Sequence, residues 1–287
     1  MTDRTGLALY DRAASQAAGG IIEVYSTSFA LAARMLGPRV RAHVRHVYAL
    51  VRIADEVVDG PAAQAGVDTA GRARILDGLE REVDAALADG FSANPVVHAF
   101  AGTARACGIS ADLTAPFFAS MRTDLTTVVH DPASHDAYVY GSAEVVGLMC
   151  LAVFVNAGTT VPVRPAPDLV VGARRLGRAF QDVNFLRDRA DDAALLGRDY
   201  LAIGDDHDRD RVLDGVDADL AAAAAVIGIL PPDCRRAVTA AHDLFAALSR
   251  RLRSAPPDAA RVRVPTSAKL AVAARAWLGG APQGVRS

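Results

Sequence analysis

Two groups of polar side chains recur at helical spacing inside stretches that are otherwise apolar. In Tyr48-Ala-Leu-Val-Arg-Ile-Ala-Asp-Glu-Val-Val-Asp59, Asp55 and Asp59 are four residues apart, so a helix projects both carboxylates from one face, a turn apart. Arg52 precedes them by about a turn, and Tyr48 precedes Arg52 by another. Like charges at that spacing repel, and on a core-facing stripe flanked by Ile53, Val57 and Val58 they need a cation. Hard oxygen ligands held this way suit Mg²⁺, which commonly bridges a few carboxylates to substrate phosphates. An exposed helix can carry the same pair, and on this segment alone both readings stand.

The second group lies between Leu176 and Asp192. Gln181, Asn184, Asp188 and Asp192 follow at spacings of 3, 4 and 4, which lines four oxygen-bearing side chains along one helical stripe with Arg187 beside it. Two matched stripes suggest helices facing each other across a cavity with metal ions between them. The arginines then share the charge of a diphosphate with those ions. An exposed, salt-bridged helix would explain Asp182 and Arg189 but not the matched stripes.

The elements that must position these groups are helical. Alanine makes up about a fifth of the 287 residues, hydrophobic residues 51% and aromatics 6%, and candidate helices run almost without interruption. They span 7–17, 20–36, 39–58, 68–88, 95–107, 111–128, 134–157, 167–190, 208–229, 232–253 and 265–278, broken at Gly and Pro. The expectation is an all-α, single-domain bundle over 1–287 with a central cavity, 1–19 and 280–287 being peripheral. The acidic stretch Gly204 to Asp219 reads as a solvated loop and helix start, and His43 and His46 as surface residues.

Composition excludes several classes. A formal net charge of -2 argues against a generic nucleic-acid binder. Cys107, Cys150 and Cys234 read as reduced, buried thiols. The apolar stretches Val145 to Val155 and Leu220 to Leu230 reach about half the ~20 residues that span a bilayer. With no signal pattern at the amino terminus, the expected location is the cytoplasm, with peripheral contact at the inner face of the membrane. No G-x-S-x-G, Walker or G-x-G-x-x-G pattern is present.

Taken in order, the motifs resemble the squalene and phytoene synthase family, the head-to-head trans-prenyl transferases, from about Tyr25 to Trp277. The first motif appears as Arg52-x-x-Asp55-x-x-x-Asp59, preceded by Ser26-Thr-Ser28-Phe29 and Tyr48. The second appears as Leu176-Gly177, Gln181, Asn184, Arg187-Asp188, Asp191-Asp192, Arg198 and Tyr200-Leu201. Between them stand Met121-Arg-Thr-Asp124-Leu125 and Tyr138-Val-Tyr140-Gly-Ser-Ala-Glu-Val-Val146-Gly147.

The resemblance implies an isoprenoid-synthase fold in which Asp55, Asp59, Asn184, Asp188 and Asp192 coordinate Mg²⁺ or Mn²⁺. Ser26, Ser28, Tyr48, Arg52, Gln181 and Arg187 would meet prenyl diphosphates, with Arg198 and Tyr200 lining a closing lid. The wording around Arg122 and Tyr140 is more similar to bacterial phytoene synthases, which join two geranylgeranyl diphosphates without a reductant. Squalene formation from farnesyl diphosphate would call for NADPH. A non-catalytic family member acting as an assembly or binding protein would be expected to lack one of the five ligands. Four residues depart from the family pattern. Glu144 stands where a small residue is usual, Phe245 where a tyrosine is, Ala202 where a proline is, and Arg189 where an apolar residue is.

Overall fold

In a computed structural model of the chain, residues 6–25, 27–191, 198–201, 203–204, 206–256 and 262–283 are described. Thirteen α-helices occur among them: α1 (Gly6–Tyr25), α2 (Thr27–Arg34), α3 (Pro38–Val58), α4 (Pro61–Gln64), α5 (Thr69–Asp89), α6 (Pro95–Cys107), α7 (Ala111–Thr123), α8 (Pro132–Val139), α9 (Val145–Asn156), α10 (Pro167–Asp191), α11 (Asp206–Ile227), α12 (Pro232–Ser254) and α13 (Thr266–Trp277). The described residues form no β-strand, only an isolated parallel bridge between Val129 and Asp199.

Local chemistry sets the boundaries. Asp68 accepts from Gly71 N at 2.7 Å to start α5, and Asn94 caps α6 with Pro95 in its first turn. Gly108 ends α6 in the left-handed conformation, φ 74°.

α1 differs from the expected pattern, because it runs unbroken through Gly19-Gly20 to Tyr25. Ala14, Ala18, Gly19 and Ile22 are buried, and α1 packs on α3 and α6. Small residues permit close packing, and the burial gained offsets the helix cost of two glycines. Residues 6–19, expected at the periphery, therefore include fully buried positions. α7 also stops at Thr123, five residues early, where the chain turns toward the bridge at Val129.

α9 is apolar all round and sits in the main core with Phe100, Phe117 and Phe118. A single π-helical turn, Tyr140–Glu144, joins it to α8. The continuous run Pro132–Asn156 is long and apolar enough to cross a membrane, but most of it is buried inside the protein. Its contact with α10 is a seam of glycines. A Cβ on Gly147 would lie 2.6 Å from Ala173 O, and one on Gly177 would lie 2.7 Å from Ala143 O. Only a missing side chain allows so close a backbone approach.

Two surface expectations are corrected. His46 is buried, and the Nδ1 atoms of His43 and His46 each lie 2.8 Å from Thr103 Oγ1, with His46 Nε2 2.8 Å from Ser15 Oγ. The pair ties α1, α3 and α6 together. In the acidic stretch, helix starts at Asp206 as expected and Asp210 and Asp214 are exposed, but Asp219 is buried against Arg175 at 2.7 Å. The three cysteines are free thiols, with Cys107 and Cys234 buried and Cys150 half-buried on the cavity wall. Burial pushes Cys107 up to about 11.

Candidate active site

α3 and α10 share no packed interface; a cavity of about 1090 Å³ separates them. Tyr48, Arg52, Asp55 and Asp59 line it from the first side, and Gln181, Asn184, Arg187 and Asp188 from the second. The two stripes read from the sequence therefore face one space. Ser26 and Asp192 lie outside the described residues, as do Ala202 and the side chain of Ser28.

One of these acidic groups is already strained electrostatically. Burial first, and then the neighbouring Asp59, push the Asp55 carboxyl well above the usual carboxylate range, with Arg52 opposing. About a quarter of the Asp55 side-chain surface is open, and that opening is onto the cavity. Among the described residues, no three acidic, His or Cys side chains converge as a ready ligand set. Each carboxylate has instead taken a cationic neighbour. Asp188 accepts a two-pronged contact from Arg187, the Nε arm at 2.8 Å, and Asp59 accepts from Arg198 Nη1 at 2.9 Å. Arg52 pairs with Glu56 and lies 4.5 Å from the Tyr25 ring centroid.

The donor set fits a hard divalent cation: oxygen ligands from two sides, one a half-buried carboxyl open to the cavity whose ionised form needs positive charge nearby. Asp55, Asp59, Asn184 and Asp188 are the described candidates to hold it.

Arg198 and Tyr200 meet the end of α3 beside Asp59. Arg198 Nη1 donates to Asp59 Oδ1 and Tyr200 OH, and Nη2 to Val58 O and Asp124 O, all within 2.8–2.9 Å. It is buried and does not line the cavity, whereas Tyr200 does. Tyr200 OH and Tyr138 OH each donate to Asp124 at 2.8 Å. Burial above all, against the pull of Arg198, raises Asp124 to about 6. Asp124, Tyr138, Arg198 and Tyr200 form a buried clasp behind Asp59 that no local spacing would announce, since together with Asp59 they come from four separate segments.

Below this polar end the wall becomes apolar, with Val47, Val146, Leu151, Phe154, Ile227 and Leu230 among its residues. Phe245 stacks on Phe180 with centroids 3.8 Å apart and lies 6.0 Å from Phe29. Phe245, Phe180 and Phe29 thus form an aromatic cluster on the cavity wall. Glu144 is off the cavity. It is 3% exposed and accepts from Arg174 Nε at 2.6 Å and Arg178 Nε at 2.9 Å, so its charge is paired on the outer face of the seam. Arg189 is solvent-facing and bonds Ile203 O. Asp182, by contrast, is buried, 3.1 Å from His135 Nε2, and not a surface residue.

Comparison with known proteins agrees with this geometry. Residues 22–203 match the squalene/phytoene synthase family model. A 15-cis-phytoene synthase from Paracoccus sp. is 31% identical over 265 residues, with 84% of this chain and 83% of the relative covered. A dehydrosqualene synthase solved in complex with ligand shares the fold with a TM-score of 0.78 at 22% identity, covering 94% of this chain and 98% of that one. A squalene synthase from Alicyclobacillus acidocaldarius superposes at 0.70 with 19% identity, over 86% and 95% of the two chains. The chain belongs to the squalene/phytoene synthase family.

Proposed function

We propose that this protein condenses two prenyl diphosphates head to head, and that its substrates are two molecules of geranylgeranyl diphosphate, giving phytoene. The observation that carries the reading is one continuous cavity, acidic and arginine-bearing between α3 and α10 and apolar beyond. The 31% identical relative is named a 15-cis-phytoene synthase, which supports the choice of product.

Divalent ions, Mg²⁺ or Mn²⁺, would draw negative charge off an allylic diphosphate and ease ionisation of its C–O bond. Asp55, Asp59, Asn184 and Asp188, with Asp192, would hold them. Arg187 and Arg52 would exchange Asp188 and Glu56 for diphosphate oxygens, which carry more charge than a carboxylate. Tyr48 and Gln181 would orient the diphosphates beside them. The apolar wall excludes water, which would otherwise quench the cation before the second substrate's double bond attacks it. With the first diphosphate released, loss of a proton closes the ring to a cyclopropylcarbinyl diphosphate; departure of the second diphosphate, rearrangement and loss of a second proton would give the C1–C1' product with no reductant.

Incubation with geranylgeranyl or farnesyl diphosphate in Mg²⁺, with and without NADPH, followed by mass analysis of the hydrocarbon, tests this directly. A C40 hydrocarbon from the C20 substrate, independent of NADPH, is expected. A C30 product from farnesyl diphosphate alone would assign a squalene- or dehydrosqualene-type enzyme, and no product from either a binding protein.

A further inference from the structure

Charge is distributed unevenly along this chain. Residues 232–287 hold ten Arg and Lys against three Asp, a surplus of seven positive charges in a protein whose total is -2. α13 lies in this segment and buries only Ala276. Leu270, Ala274, Trp277 and Leu278 fall at i, i+4, i+7 and i+8, so they share one outward stripe. Leu270 and Trp277 are each 58% exposed and Leu278 86%. Arg236, itself exposed, stands over the Trp277 ring at 5.4 Å. Among the described residues no carboxylate pairs with Arg236 or with the exposed Arg263. The nearby Asp243 is fully buried and already neutralised by Arg275. Arg263, Pro265 and Thr266 face solvent and also line the cavity, so the cavity reaches the surface beside α13.

We propose that α13 docks on an anionic lipid surface, Leu270, Trp277 and Leu278 entering the interface while Arg236 and Arg263 meet headgroup phosphates. An apolar stripe with an aromatic anchor and unpaired basic neighbours suits a lipid interface. A second copy of the chain suits it poorly, because a two-fold contact would set the exposed Arg236 and Arg263 against their own copies with no carboxylate beside them. Docking would place the cavity mouth on the phase in which a long hydrocarbon dissolves; that consequence, though not the docking, rests on the function proposed above.

Trp277 is the only tryptophan in the chain, so its emission reports this face alone. The full-length protein is titrated with vesicles of phosphatidylcholine containing phosphatidylglycerol, and with phosphatidylcholine alone. Binding with a blue shift of Trp277 on the anionic vesicles, and quenching by brominated acyl chains, is expected. Leu278→Asp should weaken vesicle binding about tenfold or more, and Arg236→Gln with Arg263→Gln about fivefold per charge. Equal binding to both vesicles, unchanged Trp277 emission, or variants that bind as the parent does would overturn the proposal. So would a blue shift that grows with protein concentration in the absence of lipid, which would assign the face to a second copy. Prenyl diphosphate turnover in detergent is read on the same samples. Docking without turnover sinks the reaction and leaves this surface standing, and turnover without docking does the reverse.

Discussion

Arg198 holds Asp59 from behind: its Nη1 donates to Asp59 Oδ1 at 2.9 Å while Nη2 bonds the carbonyls of Val58 and Asp124. The end of α3, where the helix stops and Asp59 begins, is thereby fixed to the segment that follows α10. Arg198→Ala would leave Asp124, 3% exposed at its side chain, without its cation. A loss of about 3 kcal/mol is expected in urea unfolding, together with a fall in turnover because Asp59 loses its orientation. Arg198→Lys keeps the charge but not the fork, so it should recover stability only in part.

Asp55 should show opposite effects on stability and activity. With no cation present, burial and Asp59 disfavour its ionised form, so Asp55→Asn removes an unfavourable charge and should raise the melting temperature of the metal-free protein. The same change removes a proposed ligand and should abolish turnover. Mg²⁺ should raise the melting temperature of the parent, by about 2.7 kcal/mol of stability at a hundred times its Kd, and do much less for the variant. Calorimetry with and without Mg²⁺ decides it; a destabilised metal-free Asp55→Asn would contradict the electrostatic reading.

Helical periodicity is the part of this fold that the amino-acid order encodes most directly. Asp55 and Asp59, and Gln181, Asn184 and Asp188, are each set by spacing within one helix, so their shared faces follow from the sequence alone. The clasp does not, because Asp59, Asp124, Tyr138 and Arg198 meet only once four segments are packed. The same holds for Glu144: nothing in its local sequence announces its partners Arg174 and Arg178, which lie on the next helix. Gly19-Gly20 reads as a break because propensity is local, whereas the burial of Ala14, Ala18 and Ile22 that overrides it is not.

Glu144→Gln tests whether that carboxylate is structural. It keeps the shape but weakens two charge-assisted bonds, so about 1–3 kcal/mol should be lost in urea. Turnover under conditions where the variant is folded should be unchanged, because Glu144 does not line the cavity. A changed product or KM would place it at the tunnel instead.

Gly147→Ala asks how tightly the seam between α9 and α10 is set. The new methyl would stand 2.6 Å from Ala173 O, a backbone atom that cannot rotate away. Overpacking of this kind costs typically about 1–3 kcal/mol, and because both helices line the cavity the shift should also lower turnover. A variant as stable and active as the parent would show that the seam gives readily.

His46 links stability to pH. Burial first, then His43, lowers it from 6.5 to about 4, so the folded protein holds it neutral while the unfolded chain protonates near 6.5. Its contribution is complete above pH 6.5, is lost as pH falls toward 4, and amounts to about 3 kcal/mol at most. Asp124 acts in the opposite sense, because its pKa is raised to about 6, so the total stability curve mixes the two. The contribution of His46 is separated by comparing the parent with His46→Gln, which can still bond Thr103 or Ser15 but does not titrate. Unfolding free energies measured from about pH 7.5 to 4 should fall more steeply for the parent than for the variant. Parallel curves, or a His46 ring resonance that titrates near the ordinary imidazole value of about 6.5 by NMR, would show that this imidazole is not held neutral by its burial.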